Sequence, residues 1–190
     1  MTSEPLAPTP SQTVGPYLAI VLPWPDGPDL AASGAADAVT LTGRLVDGAG
    51  EGVPDGLIEV WQADPAGRFD HPDDPRGATS TPGFRGFGRC STGADGEFAF
   101  RTVKPGALPD GSGGLEAPHL DVSVFARGLL QRLVTRVYFP DEDDANALDP
   151  VLAGLDPPER RLLTATEQPD GTLRFEIRLQ GEDQTPFFRL

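Results

Sequence analysis

The stretch "APHLDVSV", residues 117–124, sets His119, Asp121 and Ser123 along one face of an extended chain, where side chains two apart point the same way. An imidazole beside a carboxylate can serve two kinds of chemistry. The pair can contribute to a metal site with donors from elsewhere in the fold, or it can form an ordinary hydrogen bond. A second imidazole at position 121 would complete a two-nitrogen chelate, but Asp121 stands there instead. The residues therefore leave three readings: a metal site with unusual ligands, an enzyme without its metal, or a chain that was never an enzyme.

Whatever these side chains do, strands must position them. The chain has 190 residues, enough for a single domain over 1–190 with one core. Its 23 Gly and 21 Pro punctuate short apolar runs, the pattern of a turn-rich β protein. "VTLTGRLVD" places Val39, Leu41 and Leu45 on one face, and "LIEVWQAD" places Ile58 and Val60 opposite Leu57, Glu59 and Trp61. "GEFAFRTV" alternates Phe98 and Phe100 with charged and small residues, and "HLDVSVFA" turns Leu120, Val122 and Val124 inward. "RLVTRVYF" and "TLRFEIRLQ" continue the period, the latter with Leu173, Phe175, Ile177 and Leu179 on one side. Six such segments predict a mainly β protein, an antiparallel β-sandwich. "DPPERRLLTATEQ" predicts a helix with Asp156 as cap, Pro157 first and Glu159 at the capping-box position. "DEDDANALDPVLAGL" adds a short helical piece limited by Pro150. Residues 1–24 read as an N-terminal arm whose apolar part, "TVGPYLAIVLPW", must pack on this chain or another. The loops at 63–95 and 104–118 are long, as loops that carry function often are.

The formal net charge of −14 argues against nucleic acid and against anionic membranes as partners. One cysteine, Cys90, leaves no disulfide framework and no thiolate cluster. No segment has the form of a leader or a membrane span, so a cytoplasmic protein is expected.

Several spaced motifs then occur in order. "GRLVDGAGEGVPDGLIEVWQADPAGRFDHPDD" runs from Gly43 to Asp74, "GFGRCSTGADGEFAFRTVKPG" from Gly86 to Gly106, and "APHLDVSVFARGLLQRLVTRVYF" and "FEIRLQGEDQTPFF" follow. Together they resemble the intradiol ring-cleavage dioxygenases, non-haem ferric enzymes that open catechols between the two hydroxyl-bearing carbons. The resemblance covers nearly the whole chain and implies the β-sandwich of that family, with long loops and one or two short helices.

It also implies a missing metal centre. The family holds Fe(III) with two Tyr and two His. Here Phe69 follows Gly67-Arg68 where the first Tyr belongs, and "KPGALPDGSGGLEAP" contains no Tyr. His119 is retained and Asp121 replaces the second His, so the metal-ligand positions Phe69, His119 and Asp121 are degenerate and no catalytic residue is assigned to this chain alone. Tyr17, Tyr138 and His71, with His119, would supply the right inventory for a rearranged ferric site, but they fall elsewhere in the pattern.

What remains fits the α-type, iron-free chain of a heteromeric family member. In that reading Fe(III) sits on a partner β subunit, and residues 1–24 reach that partner. Thr13, Gly15, Pro16, Tyr17 and Arg136 help bind an aromatic substrate, 3,4-dihydroxybenzoate, for reaction with O₂. Strand position alone makes Arg136 an ion pair with one of the many acids, whereas the resemblance makes it a fork for the substrate carboxylate. The alternative function is a non-catalytic β-sandwich binding or assembly module derived from the same fold.

Overall fold

A computed structural model describes residues 9–35 and 37–189; the part of the expected arm at residues 1–8 lies outside the described residues. The alternating segments become strands β1 (Ala38–Val46), β2 (Leu57–Trp61), β3 (Phe87–Ser91) and β4 (Glu97–Val103). A short hairpin of β5 (Leu108–Pro109) and β6 (Leu115–Glu116) precedes β7 (His119–Phe125), β8 (Leu133–Tyr138), β9 (Thr166–Glu167) and β10 (Leu173–Arg178). One sheet has the order β4–β1–β10–β9 and the other β3–β2–β7–β8. Leu41, Phe100 and Phe175 of the first sheet share one buried cluster with Ile58, Leu120 and Val122 of the second. Each such side chain contributes about 1.5–3 kcal/mol by leaving water. The sandwich is as the periodicity predicts.

Among the pairings between these strands, one departs from the antiparallel rule. β1 and β10 run parallel, with Leu41 opposite Leu173. Strands from distant parts of a chain can pair this way because a long connection gives room for the crossover that a hairpin turn cannot make.

Among the described residues four helices appear where one or two were expected: α1 (Tyr17–Val21), α2 (Asp143–Leu148), α3 (Pro150–Ala153) and α4 (Pro157–Leu163). The predicted cap of α4 is present, with the Glu159 carboxylate accepting the Asp156 N–H at 3.0 Å. The helix stops at Leu163, short of "TATEQ", because Thr164 turns extended and Thr166 and Glu167 pair with β10. Asp149 separates α2 from α3, its carboxylate accepting the N–H groups of Val151 and Leu152. Among the described residues, no helix is long and apolar enough to cross a membrane.

β7 positions His119, Asp121 and Ser123. Leu120, Val122 and Val124 go to the core, while Asp121 and Ser123 face the other way. His119 also points away from the core, yet it is buried, because Tyr138 packs beside it with ring centroids 5.6 Å apart.

Candidate functional site

Strand register builds the first half of the site. Antiparallel pairing sets His119 opposite Tyr138 and Asp121 opposite Arg136. The Arg136 guanidinium then reaches two carboxylates, with Nε 3.1 Å from Asp121 Oδ1 and Nη2 3.1 Å from Glu116 Oε2. Its Nη1 lies 3.4 Å from the Tyr138 hydroxyl, which in turn donates to Asp149 at 3.1 Å. Burial opposes the charge of Arg136, but the Tyr138 hydrogen bond and the two carboxylates outweigh it, so the guanidinium is held more firmly protonated than usual. Burial also raises the Tyr138 phenol well above its ordinary range, with Asp149 adding to the effect.

The loop after β2 builds the second half. Buried Asp64 accepts from the N–H groups of Ala66 and Arg68 through one oxygen, and from Thr79 Oγ1 and the Ser80 N–H through the other. That clamp closes residues 64–80 into one unit. Within it Phe69 stacks on Trp61, with centroids 5.6 Å apart and planes at 17°. The Phe69 N–H donates to Asp74 at 2.6 Å, and Arg76 binds Asp74 with both Nε and Nη2. Arg76 and the Phe69 N–H hold the Asp74 carboxyl well below the usual carboxylate range.

The two halves face each other across a cleft of about 470 Å³, lined by Phe69, Arg76, Glu116, His119, Asp121 and Arg136. All three degenerate ligand positions therefore meet in one place. They do not suit Fe(III). Phe69 has no oxygen to offer, and the Asp121 carboxylate is engaged by Arg136. Among the described residues, no group of three or more His, Cys, Asp or Glu side chains stands ready to hold a metal ion. Nor does a rearranged Tyr/His centre form. Tyr17 is exposed on α1, His71 is an exposed loop residue beside Asp73, and Tyr138 is buried with its hydroxyl on Asp149.

The arm lies elsewhere. Thr13 Oγ1 accepts from the Gly15 N–H at 3.1 Å and from the Gly128 N–H at 3.0 Å, which ties the arm to the loop beyond the far end of β7. Gly15 has φ of 62°, a left-handed conformation that favours glycine, although a Cβ there would meet nothing within 4 Å among the described residues. Pro16 precedes α1, and Ser91 Oγ donates to Ala19 O at 2.9 Å from β3. The outer side of this segment remains open: Tyr17 is 68% exposed, Ile20 68% and Val21 66%.

Thr13, Gly15, Pro16 and Tyr17 thus stay together, but Arg136 is not among them. It pairs with Asp121 near the start of β7, and about 13 Å of strand separates that residue from Phe125 at the arm end. The ion pair that strand position alone suggested for Arg136 is present. Two residues that organise the site, Asp64 and Asp149, were not singled out from the sequence.

A family model described as "Dioxygenase" matches residues 31–181. The protocatechuate 3,4-dioxygenase alpha chain of Burkholderia cepacia is 43% identical, over 95% of this chain and 96% of that protein. The corresponding beta chain from the same organism is 38% identical over 80% of this chain and 68% of its own length. Among solved structures, the dioxygenase domain of a dioxygenase–carbohydrate-binding fusion from Streptomyces sp. SirexAA-E superposes with a TM-score of 0.59. It is 30% identical and covers 92% of this chain and 99% of that one.

Proposed function

Since this chain belongs to the intradiol dioxygenase family, we propose that it is the iron-free alpha subunit of a protocatechuate 3,4-dioxygenase. The family works with Fe(III), and in this reading the metal is held by a beta subunit. The reaction joins both atoms of O₂ to 3,4-dihydroxybenzoate while the ring bond between the hydroxyl-bearing carbons breaks, giving 3-carboxy-cis,cis-muconate. This chain binds no iron in that scheme. Residues 1–24 serve as the arm that contacts the partner, with Thr13, Gly15, Pro16 and Tyr17 walling its substrate pocket. Gly15 then has a use for its missing side chain, because backbone can lie close to a flat ring. A cytoplasmic setting, suggested by the single cysteine, belongs to the same proposal.

The observation that carries the reading is the exposed edge of α1. Tyr17, Ile20 and Val21 offer apolar surface beside a glycine–proline turn, while the chain's own metal position holds Phe69 and an occupied Asp121. Apolar surface gathered in this way suits a protein–protein contact.

The test is iron content with the visible spectrum, measured on this chain alone and after co-expression with a longer paralogue bearing the full Tyr and His set. A colourless chain alone, and a coloured complex that consumes protocatechuate, is the expected result. Iron on the lone chain would overturn the proposal. Neither iron nor a complex in either preparation would leave the binding-module alternative. Arg136→Ala belongs in the same experiment: a raised KM for protocatechuate would return its guanidinium to the substrate pocket, and an unchanged KM would leave it in its own cleft.

A further inference from the structure

The cleft that does not suit iron still has part of a metal site's frame. The His119 side chain is 2% exposed, and its Nδ1 lies 2.7 Å from the Ala117 carbonyl oxygen. A carbonyl can only accept, so Nδ1 carries the proton and Nε2 is the nitrogen turned into the cleft. Nε2 makes no hydrogen bond among the described residues. Glu116 Oε2 and Asp121 Oδ1 each stand 3.7 Å from it, beyond hydrogen-bond reach. A histidine tied through one nitrogen to a backbone carbonyl, with the other facing carboxylates, is oriented as metal-ligating histidines are. Donors bound to one zinc-like ion at about 2.1 Å lie about 3.4 Å apart in a tetrahedron, close to the 3.7 Å that separates Nε2 from each of these two oxygens.

The two oxygens that flank Nε2 are the same two that hold Arg136, each 3.1 Å from a guanidinium nitrogen. We infer that Arg136 is the resident cation of a latent divalent-metal site formed by Glu116, His119 and Asp121, and that its guanidinium keeps metal out of this chain. One fixed positive charge answers two carboxylates, and a tethered cation does not exchange with ions in solution. The Tyr138 hydroxyl, itself anchored on Asp149, steadies the guanidinium from the strand side. None of this depends on the proposed partner or substrate.

The test uses the full-length chain without an affinity tag, titrated with Co²⁺, whose visible absorption reports coordination. Equilibrium dialysis gives the stoichiometry. The unsubstituted chain is expected to show no site. Arg136→Ala and Arg136→Met are expected to take up a single equivalent at least about tenfold more tightly, some 1.4 kcal/mol, and His119→Ala added to either removes the gain. Arg136→Lys, which keeps the charge, should behave as the unsubstituted chain does. If neither neutral variant folds in metal-free buffer, refolding with Co²⁺ becomes the readout: recovery supports the inference and no recovery overturns it. Folded neutral variants with no gain in affinity, or a gain that survives His119→Ala, also overturn it.

Discussion

Asp149 shows how a single buried carboxylate can hold a site together without lining its cleft. Its oxygens accept from the N–H groups of Ala117, Val151 and Leu152 and from the Tyr138 hydroxyl. Ala117 is thereby fixed from one side, while its carbonyl orients His119 on the other. Asp149→Ala leaves these buried donors without their acceptor and should cost about 3 kcal/mol, read as a lower denaturant midpoint with unchanged m. His119, Asp121 and Phe69 were legible in the sequence because a period of two and a motif order place them. Asp149 was not, since it sits in an acidic stretch that reads as solvated. One signal was available, an Asp directly before a proline at the start of a helical piece. What the sequence could not say is that a tyrosine and a strand would fold against it.

Among the elements, the 64–80 loop owes its shape to Asp64. The carboxyl is buried, which raises its pKa, but hydrogen bonds from Thr79, Arg68, Ser80 and Ala66 outweigh burial and the net shift is downward. A depressed folded-state pKa means that this stabilisation is fully present above the ordinary carboxylate pKa and is lost as pH falls through the folded value. Asp64→Asn should therefore lower stability by about 1–3 kcal/mol at neutral pH. The gap in Tm between variant and parent should close as the pH is taken below the ordinary carboxylate range. A gap that stays constant down to acid would show that charge is not what Asp64 supplies. The sandwich strands were readable because burial alternates along them. The helix α1 was not, since five residues cannot form a helix by propensity alone and this one depends on its anchorage at Ser91. The extended end of the α4 segment escaped for the same kind of reason, since pairing with β10 decides it.

For the whole molecule, a formal charge of −14 makes association through scattered polar contacts costly. A compact apolar patch is the more economical way to hold a partner. Tyr17→Ala with Ile20→Ser removes much of that patch without touching the core, so the fold should survive, by circular dichroism and Tm. Co-purification with the beta chain proposed to hold the iron should fall sharply. Retained co-purification would place the contact elsewhere. Family and architecture were both readable at this scale, because ordered motifs run along nearly the whole chain. The separation of Arg136 from the arm was not, because it depends on which end of β7 each one meets.

The parallel pair β1–β10 also has a consequence in time. Thr42 and the Leu173 carbonyl it bonds are 131 residues apart, so a chain leaving the ribosome has β1 long before it has β10. Until the last strands emerge, β1 has β4 on one side and an open row of backbone groups on the other. Closing it late makes folding slow in its final step and exposes a sticky edge during synthesis. The sheet that carries no part of the cleft thus governs when the protein becomes safe from aggregation.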